Sequence, residues 1–300
     1  MDPLKHIDFI INPISGGKDK KKIESIIAEG LDSSRFSYSL IYTKGPGDAE
    51  RLAHESTADI VCAVGGDGTL NEVGRGLLGT DKVLALIPCG SGDGLALHLG
   101  ISRKPAKAVK AINEGVPIAM DCGMLNGHHF FSISGTGLDA TVSYRFANAG
   151  SRGLKTYISE ALKTWKGFEF EPYDIEVDGR RMQEKAALVS VGNSNQWGNQ
   201  ARITPLADVS DGLLDVTIIK PFKTINIPGI VIKLMTGHLD RSKKAICLQG
   251  KHIAIYKSGN CIAHFDGDPV ELEAPLEFEV IPSAIRILSP SRARCCQKHS

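Results

Sequence analysis

The segment "AVGGDGTLNEVGRG" (residues 63–76) sets one acid, Asp67, among bare backbone at the point where an apolar run stops. Glycine at 65 and 66 lets main chain approach a ligand closely, and a helix opening near Thr69 would aim free N–H groups at an anion. A carboxylate beside phosphates repels them. Asp67 therefore makes sense there with a metal ion between, or as a base near a transferred group. The competing reading is a tight turn with a capping aspartate. Two further segments share the pattern. "INPISGGKDKKK" leaves a strand through Asn12 and Pro13 and enters a helix through Ser15, Gly16 and Gly17. Lys20, Lys21 and Lys22 fall in its first turn, where the macrodipole disfavours cations unless an anion binds nearby; a solvated charge run is the alternative. "ALIPCGSGDGLALHLG" places Gly90, Ser91, Gly92 and Gly94 after a third strand. In an open parallel sheet ligands bind beyond the carboxyl ends of the strands, so three such loops predict one shared crevice.

Common nucleotide motifs do not account for this set. Gly17-Lys18 lacks the leading glycine and the following hydroxyl of a Walker A loop. "GTGLDA" (135–140) fits Gly-x-Gly-x-x-Gly/Ala in name only, because the acid some twenty residues on, Glu160, falls inside a helical pattern and not at a strand end. "SDGLLD" and "FDGDPV" carry further acids, and each Asp-Gly there also suits an ordinary turn.

The elements that must carry these loops alternate over the first 125 residues. "HIDFIIN", "FSYSLIYT", "DIVCAVGG" and "KVLALIP" read as strands; the last two are apolar throughout, as strands covered on both faces are. Between them lie helical patterns: "KKKIESIIAEGL", with Ile23, Ile26 and Ile27 on one face, and "GDAERLAHES", with Asp48 as its expected cap. The alternation predicts a three-layer parallel α/β domain over residues 1–125; the C-terminal segment 285–300 is expected to join it. From 126 to 284 the pattern becomes short strands with Asp-Gly and Ser-Gly-Asn turns, which predicts a β-sandwich or barrel with helical insertions. The insertions are "GLKTYISEALKTW", with Leu154, Ile158, Ala161, Leu162 and Trp165 on a face, and "IPGIVIKLMTGHL". The latter reads as a core helix with Pro228 near its start; an apolar entrance at a membrane surface is the alternative. The basic tail "SRARCCQKHS" is expected to fray.

Composition narrows the classes. A net charge of +1 gives no global case for nucleic acid. No apolar run approaches the length of a membrane span, and the start lacks a signal-peptide pattern. Seven scattered cysteines without a C-x-x-C spacing suit reduced thiols. The expectation is a cytoplasmic protein, with peripheral contact at the inner face of the membrane left open.

Taken in order, these segments resemble the diacylglycerol kinase catalytic family, which includes bacterial lipid kinases and sphingosine kinases. "NPISGGK", "GGDGTLNEV", "PCGSGDGLA", "GTGLDA", "PLADVSDGLLDV" and "FDGDPVEL" each match a family segment, and together they cover nearly the whole chain. "GGDGT" alone is shared with NAD kinases; the ordered set is far more specific. The resemblance implies an ATP-dependent kinase of a lipid hydroxyl, with ATP between an α/β domain and a β-sandwich domain and the lipid taken from a membrane surface. Carried over by position, Asn12, Pro13, Ser15, Gly16, Thr43, Gly66, Asp67, Gly68, Thr69, Asn71, Glu72 and Ser91 would line the nucleotide site. A structural Mg²⁺ would use the Asp211 carboxylate and main-chain oxygens of Asp208 and Leu213, with Asp121 acting through water. A turn offering a carboxylate and carbonyls suits that hard ion.

The family's proton acceptor lies in an Asp-Gly-Glu segment, here Asp266-Gly267-Asp268. Asp268 is shorter than the usual glutamate by one carbon, about 1.5 Å of reach. Asp67 is the rival base, as in sphingosine kinases. The third loop also departs: bacterial diacylglycerol kinases carry Gly-Thr-x-Asn-Asp-Phe-Ala-Arg where this chain has "GSGDGLAL". Its Gly-Ser-Gly and Leu-Ala resemble sphingosine kinases, which makes a sphingoid base an alternative acceptor, with Asp139 as the partner of its hydroxyl or amine. Two other functions compete: an NAD kinase-like phosphotransferase, and a nucleotide- or lipid-binding relative without catalysis. Homodimerisation is left open.

Overall fold

The computed structural model describes residues 4–15, 20–147, 159–161, 163–165, 167–257 and 259–290. Two compact units divide the chain, one of residues 1–121 with 283–300 and one of residues 122–282.

The first unit is an α/β layer structure. Its elements run β1 (Lys5–Ile11), α1 (Lys20–Gly30), β2 (Phe36–Tyr42), α2 (Asp48–Glu55), β3 (Ile60–Gly65), α3 (Asp67–Leu77), β4 (Val83–Pro88), α4 (Gly94–His98), α5 (Pro105–Glu114) and β5 (Val116–Leu125). The strands lie in the order β2-β1-β3-β4, all parallel. β3 and β4 are buried along their whole length, which is why their sequences are apolar without alternation. Ile7, Phe9, Ile10 and Ile11 of β1 are equally enclosed, each worth about 1.5–3 kcal/mol of burial. Because β1 has β2 on one side and β3 on the other, the chain reverses its direction of travel across the sheet between β1 and β3. In an open parallel sheet such a reversal marks the carboxyl ends of the two strands as the place where ligands bind.

The second unit consists of β6 (His128–Phe130), β7 (Ile133–Gly137), α6 (Leu138–Ala147), β8 (Glu171–Val177), β9 (Arg180–Ala186), β10 (Leu188–Gly192), β11 (Leu214–Ile219), α7 (Ile227–Thr236), β12 (Ala245–Gly250), β13 (His252–Tyr256), β14 (Asn260–Phe265) and β15 (Asp268–Glu273). β16 (Leu276–Ser289) follows. One antiparallel sheet has the order β12-β11-β10-β7-β14-β15. Against it lie β9, β8, β13 and the first residues of β16, also antiparallel. Tyr173 and Ile175 of β8, Ile253 of β13 and Phe278 of β16 pack on Val189, Val216 and Ala263 of the other sheet. This is a β-sandwich core. The burial of β8 alternates along the strand, so its register is fixed by which face is apolar.

Asp48 is not the cap of α2: that position is Gly47, no side chain caps it from there, and the Asp48 carboxylate accepts the Lys44 N–H at 2.9 Å instead. "IPGIVIKLMT" is a helix with Pro228 in its first turn, but not a core helix, because no residue of α7 is buried. Of the helix expected over 153–165, residues 159–161 and 163–165 are helical; Leu154, Ile158 and Leu162 lie outside the described residues, as do Gly16, Gly17 and the tail 291–300.

Candidate active site residues

In the first unit the loops after β1, β3 and β4 meet. Cys89 N–H donates to Gly65 O at 2.7 Å, and Asn12 N–H to Val64 O at 3.1 Å. A Cβ placed on Gly66 would lie 3.1 Å from the Gly90 Cα and 3.5 Å from the Ser15 Oγ; one on Gly90 would lie 2.7 Å from the Gly66 Cα. Only glycine permits this approach. The Asn12 amide donates to Thr69 Oγ1 at 3.1 Å, and Thr43 N–H to Ile11 O at 3.0 Å, which seats the end of β2 beside the end of β1. Thr69 and Asn71 are buried, and Pro13 and Ser91 are exposed. α3 opens at Asp67, two residues earlier than expected, and Gly66 gives it no side-chain cap. Its first turn therefore presents N–H groups at the loop junction.

The acids around this junction hold backbone. Asp67 accepts the N–H groups of Asp93 at 2.9 Å and Gly94 at 3.0 Å, one on each oxygen. Asp93 is buried in the left-handed conformation (φ 52°) and accepts the Gly90 N–H at 2.8 Å. Its other oxygen pairs with Arg103 Nε at 3.0 Å, and the same guanidinium donates to the carbonyls of Ser91, at 2.9 Å, and Gly92. Arg103 thus ties down the entire third loop. Sequence reasoning missed it, because "ISRKP" carries no motif and lies beyond the next helix. Glu72 accepts Gly47 N–H at 2.9 Å and Ala49 N–H at 3.1 Å, and so caps α2 from α3.

In the second unit Asp266 and Gly267 form the two central residues of the β14–β15 hairpin, both with positive φ (50° and 92°), while Phe265 pairs with Asp268. This is the twist-matched two-residue turn for which Asp-Gly is suited. The Asp266 carboxylate accepts three further N–H groups, from Phe131 at 2.9 Å, Ser132 at 2.7 Å and Ile133 at 3.2 Å. Asp268 is exposed at the start of β15. Behind Ser132 lies a buried polar cluster that sequence reasoning did not single out. Ser132 Oγ meets Ser194 Oγ at 2.7 Å, Thr204 Oγ1 donates to Ser194 O at 2.7 Å, and the Asn193 amide donates to Phe131 O at 3.2 Å. Asp139 is also buried. Its carboxylate accepts the Ser190 hydroxyl at 3.0 Å and the Ala140 N–H at 2.9 Å, and stands 3.2 Å from His264 Nε2.

The Asp208–Leu213 turn is built from its own carboxylates. Asp208 Oδ1 accepts the Ser210 N–H at 3.1 Å and hydroxyl at 2.8 Å, and Asp211 Oδ1 accepts the Leu213 N–H at 3.0 Å. Both acids lie near Asp215. Burial pushes the Asp215 carboxyl up to about 7, a hydrogen bond from Gln249 opposes this, and Asp211 and Asp208 add to it. Among the described residues no group of three or more His, Cys, Asp or Glu side chains converges to hold a metal. A turn that offers carboxylates and main-chain carbonyls together with an excess of negative charge fits a hard cation nonetheless. Asp121 belongs to the first unit, where its Oδ1 accepts the Ser283 N–H at 2.7 Å.

Comparison with known proteins agrees with this layout. Residues 6–125 match the family model of the diacylglycerol kinase catalytic domain, and residues 132–289 match that of the YegS C-terminal NAD kinase beta sandwich-like domain. A diacylglycerol kinase from Bacillus subtilis (strain 168) is 28% identical over 299 residues, 96% of this chain and 97% of its own. One from Staphylococcus carnosus (strain TM300) is 25% identical over 297 residues, 95% of each. A solved protein from Bacillus anthracis str. Sterne superposes with a TM-score of 0.80 at 27% identity, covering 95% of both chains. With both halves matched in this order, the chain belongs to the diacylglycerol kinase catalytic family.

Proposed function

We propose that this protein is an ATP-dependent kinase that transfers the γ-phosphoryl group to a hydroxyl of diacylglycerol, working from the cytoplasm on a lipid at the membrane surface. The observation that carries the reading is the junction of the three loops, where Ser15, Gly66 and Gly90 crowd together at the uncapped start of α3. That arrangement suits a polyphosphate, because main-chain N–H groups can reach its oxygens only where no side chain intervenes.

In this reading Asn12, Pro13, Ser15, Gly16, Thr43, Gly66, Gly68, Thr69, Asn71 and Ser91 line the nucleotide site. Asp67 and Arg103 are positioning residues that hold the third loop. Asp268 takes the proton of the lipid hydroxyl, a role typically worth about 10²–10⁴-fold in rate. Asp266, with its oxygens committed to residues 131–133, shapes the turn that presents Asp268. Mg²⁺, held by Asp211 with the main-chain oxygens of Asp208 and Leu213, would supply fixed positive charge to that acidic turn. Diacylglycerol is preferred over a sphingoid base, because Asp139 is already engaged by Ser190, Ala140 and His264.

The test is transfer from γ-labelled ATP with Mg²⁺ to diacylglycerol in mixed micelles. Labelled phosphatidic acid should form, Asp268→Ala should abolish it, and Gly90→Ala should raise the KM for ATP. ATP consumption with NAD⁺ and none with lipid would make the protein an NAD kinase-like enzyme. ATP binding without turnover on any component of a total lipid extract would make it an inactive relative.

A further inference from the structure

We propose that α7 docks the protein on an anionic bilayer by pressing its outward apolar face into the headgroup layer. A helix on a protein surface is expected to be polar on its outward side. α7 and the turn before it are not. Ile225 is 83% exposed, Val231 46%, Ile232 62% and Met235 46%. At about 100° per residue, Pro228, Val231, Ile232 and Met235 fall within one arc of roughly 100° on the helix. The opposite side is occupied: Ile230 and Leu234 pack on Ile133, Leu188, Ile203, Ile219 and Leu239. The outward face is therefore not a misplaced core face, because the helix already has its core contact.

Charge identifies the occupant. Between residues 220 and 244 stand Lys220, Lys223, Lys233, Arg241, Lys243 and Lys244 against the single acid Asp240, in a chain whose net charge is only +1; Lys220 pairs with Glu184 of β9 at 3.5 Å and Arg241 with Asp240 at 4.0 Å, so the excess rests on the other four. Lys233 and Lys244 are tethered at the base of the helix, donating to the carbonyls of Arg241 at 2.7 Å and Pro221 at 3.2 Å. Lys223, Arg241 and Lys243 are exposed. An apolar wedge accompanied by cations matches a lipid surface with negative headgroups; a protein partner would be expected to offer acids to this segment, and a neutral bilayer would leave its charge unused. The choice of a lipid surface also rests on the lipid-kinase reading, which requires an acceptor that resides in one.

The experiment is vesicle flotation without ATP, using phosphatidylcholine alone and phosphatidylcholine with phosphatidylglycerol. The wild-type chain should float with the anionic vesicles and bind neutral ones about tenfold more weakly or worse. Ile232→Asp/Met235→Asp should lose about 100-fold in affinity for the anionic vesicles with an unchanged melting temperature, since both side chains are exposed. Lys223→Glu/Lys243→Glu should lose about tenfold at low salt and less at high salt. Ile232→Trp should show a blue-shifted emission on the anionic vesicles. Flotation of Ile232→Asp/Met235→Asp equal to that of the wild type overturns the proposal. So does a wild-type dimer that this double variant converts to a monomer with vesicle binding intact, which would assign the face to a second copy. Transfer to a short-chain, water-dispersed diacylglycerol separates the two claims: the double variant should keep it and lose turnover on vesicles. No turnover on either acceptor, with flotation as expected, would remove the kinase reading and leave the docking face standing.

Discussion

Replacing Asp266 by alanine removes the acceptor of three N–H groups at the start of β7. Hydrogen bonds to a charged group contribute about 1.5–3 kcal/mol each, but three on one carboxylate are not additive and solvent reaches part of the site, so a joint loss of about 3–5 kcal/mol is expected. Alanine in the left-handed conformation that residue 266 adopts, at φ 50°, adds to this loss. Asparagine tolerates that conformation and can still accept from Ser132 and Ile133, which share Oδ1, but its amide would face the Phe131 N–H donor to donor. Asp266→Asn should therefore lose about 2 kcal/mol. For a unit of this size 1 kcal/mol corresponds to about 2–4 °C, so melting should fall by about 10 °C for alanine and about 5 °C for asparagine. Circular dichroism melts and urea titrations of the three proteins provide the measurement. An Asp266→Ala protein melting within about 2 °C of its parent would refute the reasoning. If that protein also had no turnover, Asp266 would be a reacting group and not the support of one.

Asp215 sets a pH dependence in chelator-treated protein. Its folded carboxyl titrates at about 7, raised chiefly by burial, so the folded chain retains a proton that the unfolded chain releases near pH 4. Stability should then fall as the pH rises from about 4 to about 7 and stay low above it, by roughly 2–4 kcal/mol in all. Asp215→Asn should erase that fall in urea titrations at successive pH values, and an unchanged profile would assign it elsewhere. Arg103→Ala should take the cation away from the buried Asp93 carboxylate, lower stability by about 2–3 kcal/mol and raise the KM for ATP about tenfold. Arg103→Lys should restore neither fully, since one ammonium cannot span the Asp93 carboxylate and the carbonyls of Ser91 and Gly92 as the guanidinium fork does. Glu72→Ala should cost about 1–2 kcal/mol through the lost cap on α2, while the KM for ATP moves less than about threefold. A large KM change without a stability change would place Glu72 on the nucleotide instead.

The parallel layer was legible because its inner strands are covered on both faces. "IVCAVG" and "VLALIP" can be apolar throughout only if nothing on them meets water. The meeting of the three loops was legible for a related reason, since glycine after a buried strand marks a place where main chain is approached closely. The contacts that hold that junction were not. Arg103 reaches Asp93 and the carbonyls of Ser91 and Gly92 from a segment whose sequence has no periodicity or motif. The cap of α2 comes from Glu72, 25 positions beyond Gly47, whereas capping rules read from sequence look only at the adjacent residue, Asp48. α7 was misread for the opposite reason. Apolar content reports what a helix could bury, and whether anything covers its second face depends on neighbours distant in the chain.

β16 begins as a partner of β13, through Leu276 to Glu279, and ends parallel to β4, with Arg286 and Ile287 beside Val83 and Leu84. During synthesis the flank of β4 that these last residues cover must wait for about 200 later residues to leave the ribosome. An unprotected parallel flank is a template for pairing with a neighbouring chain. The first half of this protein is thus a provisional body until its final strand arrives, and a nascent chain halted before Arg286 would be a natural client for chaperones.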